Sequence, residues 1–166
     1  AWGLISRVPR LAAIQASGAA PFARSFDEGF TRRHTVKAQT VATAIRIGDP
    51  ASYDRAVRAI RETDGVVLRV EDAELLEAKA AVDRCGVGCE PASAASVAGV
   101  RALVRRRVMD PAEHVVAVLT GHVLKDPGIL LQYHRETEPP PSGANPPIEI
   151  EPRLDEVERV LERLGG

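Results

Sequence analysis

Apolar residues in this chain recur in short blocks whose spacing switches between the strand and helix periods. Leu11–Ala16 is an apolar run between Pro9 and Gly18 and reads as a short buried strand. Gly18-Ala-Ala-Pro21 opens a helix-like stretch towards Phe26, and residues 27–40 are polar without a clear period. Tyr53, Ala56, Val57 and Ile60 fall at helical spacing, so a helix is expected over 53–63, with Ser52 as its cap and Gly65 beyond its end. Val66–Val70 is β-branched and continuous and predicts a strand. Glu71 or Asp72 can cap the next helix, 73–84, which carries Leu75, Leu76, Ala78 and Val82 and stops at Gly86.

Val87-Gly-Cys89 reads as a very short strand running into Glu90-Pro91, where proline suits the first position of a helix over 92–106. Val97, Val100, Val104 and Val108 are its expected buried stripe, and Arg105–Arg107 sit at its negative end. Val115–Leu119 is the most apolar run of the chain and is expected to be a strand of a parallel sheet covered on both faces. Residues 135–147, with five prolines, read as a surface loop. Residues 148–150 are expected as a last short strand, and 154–164 as an amphipathic helix on Leu154, Val157, Leu161 and Leu164.

Strands alternating with helices predict an α/β fold: a three-layer, mostly parallel open sheet with helices on both faces. Ligands in such sheets sit beyond the carboxyl ends of strands. Two places qualify, Cys89-Glu90-Pro91 and Leu119-Thr120-Gly121.

Composition narrows the function classes. The 166 residues are 45% hydrophobic and 27% charged, the usage of one globular domain. A net charge of −1 gives no electrostatic footprint for nucleic acid or a membrane surface. The two cysteines, Cys85 and Cys89, lack nearby histidines and read as reduced thiols of a cytoplasmic protein rather than metal ligands.

Chemistry concentrates in Val115–Pro127. A buried strand there would deliver the Thr120 hydroxyl at its carboxyl end, followed at once by Gly121, which lets backbone approach a flat ligand. A threonine that merely caps the next turn accounts for the same residues.

Leu119-Thr-Gly-His-Val-Leu-Lys-Asp-Pro127 resembles the pyridine-nitrogen loop of threonine synthases, members of the tryptophan-synthase-like (fold type II) pyridoxal-phosphate enzymes. Three more segments agree with that family in order: Val8–Pro21, Thr40–Ser52 with its Thr-Ala-Ile-Arg-Ile-Gly core, and Glu90-Pro-Ala-Ser-Ala-Ala-Ser96. The likeness runs from about residue 3 to the last helix.

The resemblance implies pyridoxal 5'-phosphate as cofactor, with Thr120 on its pyridine nitrogen, Gly121 beside the ring and Glu90 near the ring plane. Ala42, Thr43 and Ala44 would line the substrate pocket, although simple packing accounts equally for Thr43. Lys125 and Asp126 would fix the turn. Val123 departs from the pattern, standing where the family usually has glycine, and would be strained if that position needs a positive φ.

The resemblance also implies that the chain is the C-terminal portion of a larger cofactor-binding domain. The Schiff-base lysine and the phosphate loop would then lie upstream. None of Lys37, Lys79 and Lys125 sits in the family's lysine motif, so no catalytic residue is expected within this segment and it should be inactive alone. The implied substrate is O-phospho-L-homoserine, and the implied assembly a homodimer. A related lyase such as threonine dehydratase, or a non-catalytic α/β binding module, are the competing readings; the related lyases tend to place serine at the ring nitrogen.

Overall fold

The computed structural model describes residues 3–141 and 143–165. Two strands form its sheet: β1 (Ala12–Ala16) and β2 (Val66–Val70) pair in parallel, Ala12 opposite Val66 and Ala16 opposite Val70. Between them run α1 (Pro21–Asp27) and α2 (Tyr53–Glu62); after them come α3 (Asp72–Arg84) and α4 (Pro91–Arg105).

Alternation along the strands splits the core into two layers. Leu68 and Val70, with Ile14 and Val66 packed alongside, face Leu75 and Ala78 of α3 and Ala94, Ala95, Ala98 and Ala102 of α4. Val67, with Ala13 beside it, faces the other way onto Phe22, Tyr53 and Ile60. Helices therefore cover both faces of the parallel pair, as the α/β expectation requires. Gly99 lets α4 lie close on β1: a Cβ there would come within 2.4 Å of the Ile14 side chain.

The buried face of α4 corrects one expectation. It is made of Ser93, Ala94, Ala95, Ala98, Gly99, Ala102 and Leu103, while Val97, Val100 and Val104 lie on its half-buried flank and Val108 is exposed. Small residues win the interface because α3, α4 and the sheet approach too closely for a valine stripe. Glu71, not Asp72, is the cap of α3, exchanging a capping box with Glu74, whose carboxylate accepts the Glu71 N–H at 3.0 Å. Asp72 instead ties down the loop before the site, accepting the Thr40 hydroxyl at 2.5 Å and the Val41 N–H at 2.9 Å. Ser52 makes no side-chain cap, since its backbone (φ −95, ψ 29) is not the extended form a capping hydroxyl needs.

The larger corrections lie in strands. Val115–Leu119 forms no strand and pairs with none, and Val116 is 91% exposed. Residues 148–150 likewise form no strand, with Ile148 and Ile150 exposed, and 87–89 turns at Gly88 (φ +63) instead of extending. A strand exists only where a neighbour accepts and donates its ladder bonds. Among the described residues, 115–119 and 148–150 have no such neighbour. No helix or strand occurs from Thr137 to Pro147 among the described residues. Before it lie a short helix, α5 (Pro127–Leu131), and a π-helical turn, Gln132–Glu136, neither expected from the pattern. The last helix, α6 (Leu154–Gly165), forms close to where it was expected, but buries none of its residues.

Candidate functional site

The site begins at the start of α4. Glu90 takes the extended conformation of a helix cap (φ −67, ψ 157), and Pro91 fixes the first helical residue. A buried ion pair braces this point from behind. Lys79 on α3 holds Asp83 at 2.5 Å, and Asp83 accepts the Cys89 N–H at 3.2 Å. Cys89 itself is fully buried, and burial pushes its thiol pKa up, with the Asp83 carboxylate adding to the shift. Cys85 is exposed and unpaired with it. Among the described residues no group of three or more His, Cys, Asp or Glu is placed to hold a metal ion.

Two segments far apart in the chain, 90–93 and 120–126, then converge. Ser93, on the first turn of α4, accepts the backbone N–H of Thr120 at 2.9 Å and of Gly121 at 3.0 Å. Its oxygen also lies 3.2 Å from the Thr120 hydroxyl. That hydroxyl donates to Glu90 Oε1 at 3.3 Å, and the Glu90 N–H donates to the Gly121 carbonyl at 2.9 Å. The second carboxylate oxygen of Glu90 lies 2.8 Å from Lys125 Nζ. Lys125 and Asp126, expected to fix the turn by local hydrogen bonds, instead reach remote residues: Lys125 pairs with Glu90, and Asp126 accepts the Thr43 hydroxyl at 3.2 Å.

Gly121 has a steric reason of its own. A Cβ there would lie 2.2 Å from the Glu90 carboxyl carbon, so only glycine allows the carboxylate to lie against this backbone. Val123 shows no strain: it belongs to a 3-10 turn, Val123–Lys125, and is absent from the residues with positive φ. It packs where a Cβ on Gly88 would touch it, at 3.2 Å.

A cleft of about 250 Å³ opens beside these groups. Its walls are apolar, from Ala12 and Ile14 of β1, Ala44 and Ile45, Ala92, Ala95 and Val118; its polar edge is Glu90, Ser93, Ser96 and Thr120. The three pieces expected to meet therefore do meet in part. Thr120, Glu90 and Ala44 line this cleft, and Gly121 lies against Glu90. Thr43 turns to Asp126, and Ala42 is fully buried in the main core. A wider open groove of about 570 Å³ lies elsewhere, among Ser17, Arg24, Asp27, Glu28 and Arg69, and holds none of the expected site residues.

Ser93 is the residue that sequence reasoning missed. It lies inside the Glu90–Ser96 motif, but nothing local distinguishes its hydroxyl from that of Ser96, which caps back onto the Ser93 carbonyl at 2.7 Å. Lys125 was similarly undervalued, because its partner Glu90 is remote in sequence.

The lining suits a flat heteroaromatic ring with one polar edge. Apolar walls can cover the faces of such a ring, and a hydroxyl can meet one ring heteroatom. None of the residues lining the cleft is cationic, so a phosphate on that ring would need a partner outside the cleft.

Comparison with known proteins gives this donor set its context. The threonine synthase of Methanosarcina acetivorans is 42% identical over 136 residues, which is 81% of this chain and 34% of that protein. The threonine synthase of Methanocaldococcus jannaschii is 35% identical over 164 residues, 98% of this chain and 38% of that one. The chain thus spans about a third of the length of the curated relatives it matches. Among solved structures, a threonine deaminase from T.th. covers 58% of this chain and 35% of its own, at 25% identity and a TM-score of 0.48. No helix among the described residues is long and apolar enough to cross a membrane. The family described as "Pyridoxal-phosphate dependent enzyme" matches residues 2–121, from before β1 through the Thr120-Gly121 pair, and this chain belongs to it.

Proposed function

We propose that this chain forms the C-terminal part of a threonine synthase, an enzyme converting O-phospho-L-homoserine and water to L-threonine and phosphate. The observation that carries the reading is the Thr120 hydroxyl, held by Ser93 and Glu90 at the edge of an apolar cleft. The likeness to threonine synthases supports reading that hydroxyl as the partner of the cofactor's ring nitrogen. Threonine rather than serine at this position favours threonine synthase over the related dehydratases.

Bound pyridoxal phosphate supplies the electron sink that carbanion chemistry on an amino acid requires. The residues of this chain orient it. Thr120 meets the ring nitrogen, and Ser93 fixes the backbone that presents Thr120. The aliphatic side chains of Ile14, Ala44, Ile45 and Ala95 cover the ring and keep water from it. Thr43 and Ala44 lie towards the substrate. The linking lysine and the phosphate-binding loop belong to the remainder of the protein, and the segment is inactive without them. The assembled enzyme is a homodimer.

The test uses the longer protein that carries this segment, with Thr120→Ala and Thr120→Ser beside the unmodified form. Threonine formed from O-phospho-L-homoserine is measured together with cofactor occupancy. One neutral hydrogen bond amounts to about 0.5–1.5 kcal/mol, so the alanine variant should bind cofactor at most about tenfold more weakly. Its turnover should fall further, because the contact orients the ring throughout the reaction. The serine variant should keep most activity. An alanine variant that turns over normally at full occupancy would reduce Thr120 to a turn residue.

A further inference from the structure

We propose that Asp72 and Thr40 are positioning residues for the cleft: acting through the backbone of residues 40–46, they hold Ala44 and Ile45 in place as one of its apolar walls. The inference rests on the reading of this cleft as the seat of the cofactor ring.

The walls of the cleft differ in how they are supported. Ala12 and Ile14 lie on β1, and Ala92, Ala95 and Ser96 on α4, so the ladder and the helix fix them. Ala44 and Ile45 lie instead on a 3-10 turn, Thr43–Ile45, in a connection between α1 and α2 that has no other helix or strand. A wall built on a loop keeps its place only if the polar groups of the loop are themselves held.

The hold begins at Asp72, the first residue of α3, two positions beyond the end of β2. One carboxylate oxygen accepts the Thr40 hydroxyl at 2.5 Å, and the other accepts the Val41 N–H at 2.9 Å. An ionised carboxylate only accepts, so the Thr40 proton points at Asp72 and a lone pair of the same hydroxyl is left for the Ala42 N–H, 3.1 Å away. The Ala42 carbonyl then accepts the Ile45 N–H at 3.1 Å, closing the turn that carries Ala44. From the far side, the Arg46 Nε–H reaches back to the Thr40 carbonyl at 2.9 Å. Thr40 is 5% exposed and Ala42 fully buried, so water does not replace these partners. Without the hydroxyl, the Ala42 N–H regains a partner only if the backbone moves outward. Ala44 and Ile45 would move with it, and the wall would open.

The experiment titrates the longer protein, freed of cofactor, with pyridoxamine phosphate. That probe cannot form a covalent link to a lysine, so its dissociation constant reports the fit of ring and phosphate alone. Asp72→Ala and Thr40→Val should each weaken binding about two- to tenfold, the scale of one lost hydrogen bond. Thr40→Ser, which keeps the hydroxyl, should bind as the unmodified protein does. Glu74→Ala is the control for stability alone. It removes the other first-turn carboxylate of α3, whose partners are the Glu71 N–H and Arg105, and should lower the melting temperature without changing the dissociation constant. Amide exchange gives an independent reading. The Val41 and Ala42 amides should be protected in the unmodified protein, although they belong to no helix or strand, and should exchange faster in Thr40→Val. Unprotected amides there overturn the inference, as does unchanged binding in both Asp72→Ala and Thr40→Val, or equal weakening in Glu74→Ala. If the unmodified protein does not bind the probe, the proposed function falls and this inference with it. Threonine formation by the same preparations separates the two: an inactive protein with the expected affinities removes only the reaction.

Discussion

Val66–Val70 and Val115–Leu119 are nearly equivalent as sequence, both continuous, β-branched and five residues long. Their fates differ. Val67, Leu68 and Val70 are 7%, 5% and 1% exposed, laddered to β1 and covered by helices on both sides. Val115, Val116 and Val118 are 42%, 91% and 66% exposed and belong to no strand. The contrast extends beyond these strands: the two apolar cores lie within residues 12–105, whereas beyond Val108 the residues Met109 and Leu119 are only partly buried against the main core. The candidate site lies on the seam. Glu90 and Ser93 come from the packed side, and Thr120, Gly121 and Lys125 from the open side. A β-branched run thus states a preference for extended backbone, and burial depends on what lies beside it.

The sharpest way to break this comparison is a pair of truncations. Leu75 is fully buried between α3, α4 and the sheet, so Leu75→Ala should cost about 2–5 kcal/mol. Val116→Ala removes a similar apolar side chain from a 91% exposed position and should change stability by less than about 0.5 kcal/mol. Urea melts of both variants measure the difference. Equal losses would mean that 115–119 is packed in solution and that the two regions are alike after all.

A smaller effect tests how closely α4 sits on β1. The Cβ of Gly99→Ala would enter within 2.4 Å of the Ile14 side chain, so overpacking of about 1–3 kcal/mol is expected despite alanine's better helix propensity. Ile14→Val in the same background should recover part of the loss by making room. A stabilised Gly99→Ala would show that α4 can slide off the strand without cost.

The smallest effect concerns how the open region is clasped to the packed one. His134 is 6% exposed, and its Nδ1 accepts the Asn145 N–H at 2.9 Å, which requires the neutral ring. Burial holds its pKa below the ordinary 6.5; Asp83 opposes that shift and Lys79 adds to it. The folded state therefore binds fewer protons than the unfolded state once pH falls below about 6.5. The contribution of this contact is complete above that pH and is lost progressively below it. Amide exchange around residues 132–145 should quicken as the pH drops from 7 towards 5, after correction for intrinsic rates, while that of Val67–Val70 should not. His134→Gln should flatten the dependence.

Local signals made much of the packed region legible. The periods of α2, α3 and α4, the strand at Val66–Val70, the proline at the start of α4 and the order of the family motifs are all properties of neighbouring residues. Such signals act over a turn of helix or a few strand residues, so the sequence alone determined β1, α2, β2, α3 and α4 to within a residue or two, though not the turn at 87–89, where a strand was expected. It also marked Thr120, Gly121 and Glu90 as the positions where chemistry would gather.

What only the tertiary structure decided are the relations between distant groups. Ser93 meets Thr120 across 27 residues, Glu90 meets Thr120 across 30, and Thr43 meets Asp126 across 83. No periodicity encodes those distances. Whether a valine is buried, and which of two adjacent hydroxyls holds a loop, depends on the close approach of α4 to the sheet through Gly99 and of Glu90 to the backbone at Gly121. A single residue's preference costs or gains only a fraction of a kcal/mol. An unpaired buried polar group or a steric overlap costs more, so three-dimensional neighbours overrule the local pattern wherever the two conflict.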